Sequence, residues 1–172
     1  MKRRFIVVMG SQDLSSRRPL LARIISSSFY LSHGIRRDVT LEFYLWDAKR
    51  RIVFQGGSLK HVHVDEASLI GIIRKIEARI PVASRKIKIH DGITLEGSVE
   101  FGDEPGFIID EHGTPLELVI SKITGSPVFI IPLHNTLPND VRENQRVKVT
   151  SKPKQPDVVI AILNMKLDRL YP

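Results

Sequence analysis

The adjacent arginines Arg36 and Arg37 are the residues whose types and spacing point most directly to chemistry in this chain. Arginine presents a planar fork of N–H donors that matches phosphate oxygens, so a paired-arginine turn suits a nucleic-acid backbone. Cations that follow a helix end also complement the helix dipole while they remain solvated. These residues alone leave both interpretations open. The neighbouring His33 would be a ligand or a base, although a lone histidine at a helix end is more often a capping or surface residue.

The net charge of +7 is concentrated around these arginines. Residues 1–51 contain 11 Lys and Arg against 4 Asp and Glu, whereas residues 52–172 contain 15 of each kind. An excess confined to the first third of the chain favours a polyanionic partner over a general contribution to solubility.

Composition limits the remaining classes of function. The sequence has no cysteine, which excludes a disulfide framework and a thiolate metal site. No apolar run approaches the roughly 20 residues of a membrane span. The run after the basic amino terminus ends at Met9, too short for a signal peptide. We therefore expect a soluble, cytoplasmic protein without a membrane partner, folded as one domain over residues 1–172.

Hydrophobic periodicity in the first part of the chain predicts strands at 4–9 and 39–46 around a helix that begins near Pro19 and ends at His33. Gly34 is placed where a helix end needs a residue with positive φ. Residues 10–19 form a polar loop at the end of the first strand, where ligands of α/β sheets gather. Residues 52–55 and 59–64 are expected to pair as a hairpin.

The second part of the chain predicts a helix from Asp65 to about Ile80, and strands at 86–90, 107–109, 127–131 and 146–150. Further helices are expected at 137–144 and from Asp157 onward. The alternation indicates an α/β fold with a mainly parallel sheet flanked by helices. Asp110, Glu111 and His112 are adjacent and do not easily converge on one ion, so a solvated turn is favoured and no metal is expected.

Residues 30–39, Tyr-Leu-Ser-His-Gly-Ile-Arg-Arg-Asp-Val, resemble the signature of the archaeal tRNA pseudouridine-54 N1-methyltransferases, members of the SPOUT class of knotted methyltransferases. Four further segments resemble that family in the same order, namely residues 4–9, 59–68, 126–131 and 167–169. The resemblance covers nearly the whole chain, and the Ser-His-Gly-Ile-Arg-Arg-Asp run is its specific part.

The resemblance implies an S-adenosylmethionine-dependent RNA methyltransferase that modifies N1 of a pseudouridine in the tRNA T-loop. It also implies a C-terminal trefoil knot, which periodicity does not predict, and a homodimer. The apolar closing helix over 158–170, together with the first helix, would suit that interface, and without the resemblance the same residues would equally well fill the core of a monomer. In this family three loops at strand ends hold S-adenosylmethionine. The matching cofactor-binding residues are Ile109, Pro132, Leu133, His134, Val149, Thr150, Ser151, Lys152, Pro153 and, in the last helix, Val159.

The same resemblance assigns the other site residues. Asp38 or Asp13 would accept the proton of the ring nitrogen, although a surface aspartate is the simpler interpretation of each. The partner would be tRNA or another structured RNA. The RNA-binding candidates are Arg17, Arg18, His33, Arg36 and Arg37.

Several of these positions depart from the family pattern. Pro132 stands where the family usually has glycine, and proline removes a backbone donor. Residues 150–153 form a shortened loop that lacks the usual glycine. Pro19 and Val159 match an aspartate and a cysteine of the family. These changes leave a second interpretation open, an RNA-binding SPOUT relative that has lost or altered the reaction.

Overall fold

Ten strands and four α-helices follow one another in the residues that the computed structural model describes, which are 1–102, 105–135, 137 and 145–172. The strands are β1 (Arg3–Met9), β2 (Tyr30–Leu31), β3 (Gly34–Ile35), β4 (Val39–Leu45), β5 (Arg50–Gln55), β6 (Ile87–His90), β7 (Ile93–Gly97), β8 (Phe107–Pro115), β9 (Val128–Pro132) and β10 (Gln145–Lys148). The helices are α1 (Asp13–Ser16), α2 (Arg18–Phe29), α3 (Glu66–Arg79) and α4 (Pro156–Leu170). Short 3-10 turns lie at Ile80–Val82, Leu116–Leu118 and Ile120–Lys122.

Eight strands form one sheet in the order β10-β8-β9-β1-β4-β5-β7-β6, and β2 and β3 form a separate hairpin. The pairings from β10 to β4 are parallel, whereas those from β4 to β6 are antiparallel. The expected α/β class, with a mainly parallel sheet and flanking helices, is confirmed. The ends of β8, β9, β1 and β4 meet at one side of the sheet, the carboxyl edge. Their starts lie at the opposite side, the amino edge.

β1 lies at the centre of the sheet because its apolar run is buried on both faces. Phe5, Val7 and Met9 face the main core, while Ile6 and Val8 face a smaller cluster on the other side. The buried aliphatic and aromatic side chains of α1 to α4 all belong to the main core. These four helices therefore cover the same face of the sheet.

Local sequence explains where the longer helices begin. The Asp65 side chain accepts a hydrogen bond from the Ser68 backbone N–H at 2.8 Å and caps α3. Pro19 and Pro156 lie in the first turns of α2 and α4, where a missing N–H leaves no bond unmade. These starts confirm the sequence-based predictions. Among the described residues, no helix combines the length and apolar character needed to cross a membrane.

The segment between α2 and β4 differs from its prediction. α2 ends at Phe29 rather than at His33, because Tyr30 adopts an extended conformation and pairs with Ile35 in the β2–β3 hairpin. The Phe29 carbonyl accepts a hydrogen bond from the Arg36 backbone N–H at 2.7 Å, which closes the hairpin. Gly34 has no positive φ. The paired arginines therefore follow a hairpin and not a helix end.

Residues 59–64 do not form the strand that their apolar pattern predicts. β5 pairs instead with β4 and β7, and the pattern reflects burial of Leu59 and Val62 in a loop. The Tyr30 hydroxyl of the hairpin donates to the Val62 carbonyl oxygen at 3.3 Å, which ties this loop to the hairpin. The helix expected over 137–144 falls almost entirely outside the described residues.

Residues 110–113 belong to β8 and not to the expected turn. The register between β8 and β10 shifts so that Ile108 and Thr114 pair with the consecutive residues Arg146 and Val147. The residues between Ile108 and Thr114 are left out of the pairing. A Cβ added to Gly113 would lie 2.5 Å from the Val147 backbone nitrogen, so this close crossing needs glycine.

Candidate functional site

A cleft of about 610 Å³ opens at the carboxyl edge, between the ends of β8 and β9 and the start of α4. The unpaired part of β8 forms one wall, and the segment that follows β10 forms another. The cleft is lined by Ile108, Ile109, Asp110, Glu111, His112, Ile131, Pro132, Asn135, Leu137, Arg146, Lys148, Val149, Thr150, Lys152, Pro153, Lys154, Pro156 and Val159.

Seven of the ten residues expected to bind the cofactor line this cleft, and they come from four separate stretches of the chain. They are Ile109, Pro132, Val149, Thr150, Lys152, Pro153 and Val159. Leu133, His134 and Ser151 are neighbours in sequence but are not among the lining residues. The cleft is thus built from the segments that the resemblance indicated.

Apart from Lys152, the charged side chains of the cleft were missed as site residues. Asp110 accepts a hydrogen bond from the His112 backbone N–H at 2.8 Å and pairs with Arg146. The His112 N–H, followed by the Arg146 guanidinium, outweighs partial desolvation and holds the pKa of Asp110 below its usual value. Only the interrupted pairing of β8 brings this carboxylate to the cleft, and no local signal in the sequence reports that interruption. Within the described ranges, no group of three or more His, Asp or Glu side chains is arranged to hold a metal ion.

Backbone donors are scarce where β9 ends in the cleft. Pro132 has no N–H, and it lies opposite Val8 in the sheet. The Leu133 N–H donates to the Val8 carbonyl oxygen at 2.9 Å. The two backbone positions after Ile131 therefore offer no free donor to a ligand.

A carboxylate and an imidazole meet beside the cleft, where β1 and β9 end. The Asp13 side chain is 8% exposed, and one of its oxygens accepts a hydrogen bond from the Gly10 N–H at 2.9 Å. Nε2 of His134 lies 3.0 Å from both carboxylate oxygens of Asp13. Nε of Arg17 lies 3.5 Å from the same carboxylate. The structure thus joins a residue expected to act in catalysis with one expected to bind the cofactor.

Asp38 lies at the amino edge, at the opposite end of the strands from the cleft. Its carboxylate accepts a hydrogen bond from Nη2 of Arg3 at 2.9 Å. The seven-residue strand β4 follows it, and at about 3.3 Å per residue that strand separates Asp38 from the carboxyl edge by roughly 20 Å. Asp38 is out of reach of the cleft in its own chain, which corrects its assignment as a proton acceptor there.

Arg36 belongs to the same network at the amino edge. The Arg36 side chain is 14% exposed and its Nη1 donates to one oxygen of Asp168, while Nη1 of Arg3 donates to the other at 2.8 Å. Partial burial of Asp168 opposes its ionisation, but the hydrogen bonds and charges of the two arginines outweigh that effect and lower its pKa. The guanidinium of Arg36 is therefore already engaged by a carboxylate, which makes its primary contacts structural.

The other RNA-binding candidates differ in how free their side chains are. Arg18 pairs with Glu77 at 2.6 Å, and Arg17 is 47% exposed beside Asp13. Arg37 and His33 are exposed and have no hydrogen-bond or ion-pair partner among the described residues. The most accessible cation of the paired-arginine turn is thus Arg37.

Comparisons with known proteins agree with the resemblance seen in the sequence. A tRNA (pseudouridine(54)-N(1))-methyltransferase from Haloarcula marismortui is 26% identical over 167 residues, which cover 90% of this chain and 84% of that protein. The protein of the same name from Thermococcus kodakarensis is also 26% identical, over 87% of this chain and 84% of its own length. A third, from Methanospirillum hungatei, is 30% identical over 112 residues, 62% of this chain and 57% of that protein.

The fold and the family are supported separately. The crystal structure of Archaeoglobus fulgidus Nep1 bound to S-adenosylhomocysteine matches 99% of both chains with a TM-score of 0.65, at 11% sequence identity, which shows a shared fold. The family model described as "Putative SAM-dependent RNA methyltransferase" matches residues 9–169. Because this match spans nearly the whole sequence, the chain belongs to that family of S-adenosylmethionine-dependent RNA methyltransferases.

Proposed function

We propose that this protein transfers a methyl group from S-adenosylmethionine to N1 of a pseudouridine in the T-loop of tRNA. The observation that carries the proposal is the cleft of about 610 Å³ at the carboxyl edge, in a chain whose residues 9–169 match the family model. The names of relatives that align over 84% of their own length support the choice of nucleotide. We place the reaction in the cytoplasm, as the composition suggests.

The cleft suits S-adenosylmethionine in size and in lining. Ligand pockets typically enclose roughly 300–1,000 Å³. Ile109, Val149 and Val159 supply apolar walls for a purine ring, and Lys152 and Lys154 supply cations for a carboxylate. Since Pro132 and Leu133 have no free N–H, recognition of the adenine edge falls to the segment over 149–153. When bound, the cofactor supplies an electrophilic methyl group.

RNA would approach along exposed cations. Arg37 has an accessible guanidinium group and no ion-pair partner among the described residues, so it can contact phosphate oxygens directly, and Arg17 is 47% exposed although its Nε lies 3.5 Å from Asp13. Arg18 and Arg36 would have to exchange a carboxylate partner for phosphate. The basic excess of residues 1–51 supports the same approach.

Two further features of the family remain proposals. We expect the C-terminal segment to form a trefoil knot, as the resemblance implies. We also expect a homodimer through α4, where Val158, Ala161, Ile162 and Met165 line a shallow groove at helical spacing. Val158 is 40% exposed and Met165 46% exposed, so this stripe is available to a second copy. Sedimentation at micromolar protein tests the dimer, and a monomeric mass would contradict it.

The central experiment combines cofactor binding with methyl transfer. Calorimetry with S-adenosylmethionine should detect binding to the folded protein. Radiolabelled methyl transfer should then occur to a T-loop RNA that carries pseudouridine at the target position and not to the matched RNA that carries uridine, because only pseudouridine has an N–H at ring position 1. Absence of both signals from well-folded protein would refute the proposal.

Pro132 favours one alternative, an RNA-binding protein that has lost the reaction. A proline at this position and the engaged Leu133 N–H both reduce the donors available to the adenine. That alternative predicts steeply salt-dependent RNA binding that is indifferent to S-adenosylmethionine. Stimulation of RNA binding by the cofactor would exclude it.

A further inference from the structure

We propose that Trp46, His134 and Asp13 form the subsite for the target nucleobase, directly beside the cofactor cleft. Trp46 would stack on the extruded base, His134 would accept its N–H proton, and Asp13 would orient the imidazole. This inference rests on the proposed function and deepens it, because it assigns the base-binding and proton-accepting groups of the same site.

Trp46 is an unusual side chain for its position. It is 51% exposed although it directly follows β4, whose residues are largely buried. Its backbone N–H donates to the Met9 carbonyl oxygen at 3.1 Å, so the backbone that carries the indole is fixed at the carboxyl edge. Enzymes that modify RNA bases extrude the target base and commonly stack it on an aromatic side chain. An exposed indole on a fixed backbone is suited to that task.

The indole lies next to the buried carboxylate. A Cβ added to Gly10 would lie 3.7 Å from Oδ2 of Asp13 and 3.8 Å from Nε1 of Trp46, so both atoms border one small space above Gly10. The loop that carries Gly10 is held in place from the β4 side, since Ser11 donates from its backbone N–H and its hydroxyl to Asp47 at 2.8 and 2.6 Å. The stacking surface and the carboxylate therefore belong to one rigid corner.

His134 is arranged as an oriented base. Its side chain is 48% exposed, whereas that of Asp13 is 8% exposed and holds Nε2 at 3.0 Å. A carboxylate only accepts, so Nε2 carries the proton and Nδ1 of the neutral ring has a free lone pair. Among the described residues, no hydrogen-bond partner of Nδ1 is present. An imidazole that a carboxylate orients through one ring nitrogen, and whose other ring nitrogen is open to substrate, is the usual arrangement of a general base.

The cluster continues the cleft along the sheet. The cleft lies over the ends of β8 and β9, His134 follows β9, Asp13 follows β1, and Trp46 follows β4. These three strands are adjacent and about 4.8 Å apart, so the cluster spans about 10 Å, which is enough for one base between its members. Pro132 and Asn135, which flank His134, line the cleft itself. A base on Trp46 would thus lie against the rim of the cofactor site.

The proposed methyl transfer accounts for each bond, electron pair and proton. The methyl–sulfur bond breaks with its electron pair left on sulfur, and the lone pair of the ring nitrogen forms the new bond to the methyl carbon. The N–H proton passes to Nδ1 of His134, which becomes an imidazolium beside the Asp13 carboxylate. One positive charge disappears from the sulfonium and one appears on His134, next to a group that stabilises it. The proton later returns to solvent.

Fluorescence tests the stacking role directly, because Trp46 is the single tryptophan of the sequence. Titration with T-loop RNA should quench its emission, as a stacked base does. RNA that is abasic at the target position should bind, as measured by filter retention, without that quenching. Trp46→Phe supplies the background for the titration. Equal quenching by both RNAs, or no quenching by RNA that binds, would overturn the stacking role.

Single-turnover kinetics test the base and its orienting residue. Positioned general bases contribute about 10²–10⁴-fold to rate, so His134→Ala should lose at least about 100-fold in methyl transfer while it retains RNA and cofactor binding. Added imidazole should restore part of that rate. Asp13→Asn keeps an oxygen for the Gly10 N–H and should lower the rate without raising KM. An unchanged rate in His134→Ala, or a loss that imidazole does not restore, would overturn the assignment.

Matched controls separate this inference from the proposed function. His63→Gln and Val64→Ala change exposed side chains at the amino edge and should leave quenching and rate unchanged. Trp46→Ala should weaken RNA binding by about 10-fold, as loss of one stacked base does. Methyl transfer by the wild type together with full activity of the Trp46 and His134 variants would refute the inference alone. No methyl transfer by the wild type would refute the proposed function.

Discussion

The two edges of the sheet use charged and aromatic side chains in opposite ways. At the amino edge, Arg3 is 3% exposed and Arg36 14% exposed, and both are bound to carboxylates. At the carboxyl edge, Trp46 and His134 are each about half exposed beside an open cleft. The buried arginines of the amino edge are already paired with carboxylates, and the exposed Arg37 is not, whereas the carboxyl edge presents an exposed indole and an exposed imidazole beside an open cleft.

This difference separates the most recognisable motif from the most reactive surface. The Ser-His-Gly-Ile-Arg-Arg-Asp run supplies Arg36 and Asp38 to a joint that holds β1, the hairpin and α4 together. The residues that suit chemistry lie at the far end of the strands, in segments with little internal pattern. A specific sequence signature can therefore mark a structural requirement of a family as much as its chemistry.

The largest expected effect comes from closing the cleft. Ile109→Trp places a bulky ring against the cleft wall, and it should weaken S-adenosylmethionine binding by at least about 100-fold, equivalent to roughly 2.7 kcal/mol. Ile109→Val retains the space and serves as the control. Calorimetry measures both affinities, and circular dichroism verifies the fold. Unchanged affinity in the tryptophan variant would mean that the cofactor binds elsewhere.

Disrupting the ion pairs of the amino-edge joint should lower the free energy of unfolding and should not weaken cofactor binding. Asp168→Asn removes the charge that Arg3 and Arg36 share. Two buried guanidinium groups then lose a counter-charge, at a cost of about 2 kcal/mol after allowance for the partial exposure of Asp168. Glu117→Gln, in the exposed pair between Lys166 and Glu117, should change stability by less than about 1 kcal/mol. Urea unfolding compares the two. An equal loss of unfolding free energy in the two variants would contradict the view that Asp168 is a structural joint and that Glu117 belongs to a surface ion pair.

The paired arginines should differ from each other. Arg37→Ala should flatten the dependence of log RNA affinity on log salt by about 0.7–0.9 per lost phosphate contact and leave stability unchanged. Arg36→Ala should lower stability by about 1–2 kcal/mol and change the salt slope less. Nitrocellulose filter binding across salt concentrations and urea unfolding provide the measurements. The reverse pattern would show that Arg36, despite Asp168, is the phosphate ligand.

The smallest expected effect concerns pH. The pKa of Asp168 is lowered in the folded state, so its contribution to stability is present above its unfolded pKa of about 3.9 and is lost as the pH falls through the folded value. The stability difference between the wild type and Asp168→Asn should therefore be constant from neutral pH to about 5 and should shrink below about 4. A difference that persists undiminished at pH 2 would indicate that the substitution acts through packing.

Elements with strong local patterns could be predicted from sequence. β1 and β9 are continuous apolar runs, α3 has its Asp65 cap, and α4 has apolar residues at helical spacing. The elements that were predicted wrongly are those whose structure depends on contacts between residues far apart in the sequence. Leu59 and Val62 are buried in a loop that Tyr30 of the hairpin contacts, and are not paired as a strand, and the path of β8 depends on its crossing with β10.

The site could be predicted only in part for the same reason. Resemblance located the segments that line the cleft, because their order along the chain is preserved. It did not show that Asp13 would meet His134, 121 residues away, or that Arg36 would meet Asp168, 132 residues away. Pairings over such separations are set by the packing of whole strands and helices. No periodicity in the sequence carries that information.

The partners of Arg3 also bear on how the chain reaches its folded state. Nη1 of Arg3 binds Asn164 and Asp168, which lie 161 and 165 residues later in the sequence. During synthesis Asp38 follows Arg3 after 35 residues, but Asn164 and Asp168 are made much later, so the set of partners that lets this guanidinium be buried is incomplete until α4 has been made. Contacts between residues this distant in sequence also raise the contact order. A high contact order slows folding, because the entropy of closing long loops is lost before the contacts that compensate for it can form. We therefore expect the native packing of β1 to form only after α4 has been synthesised.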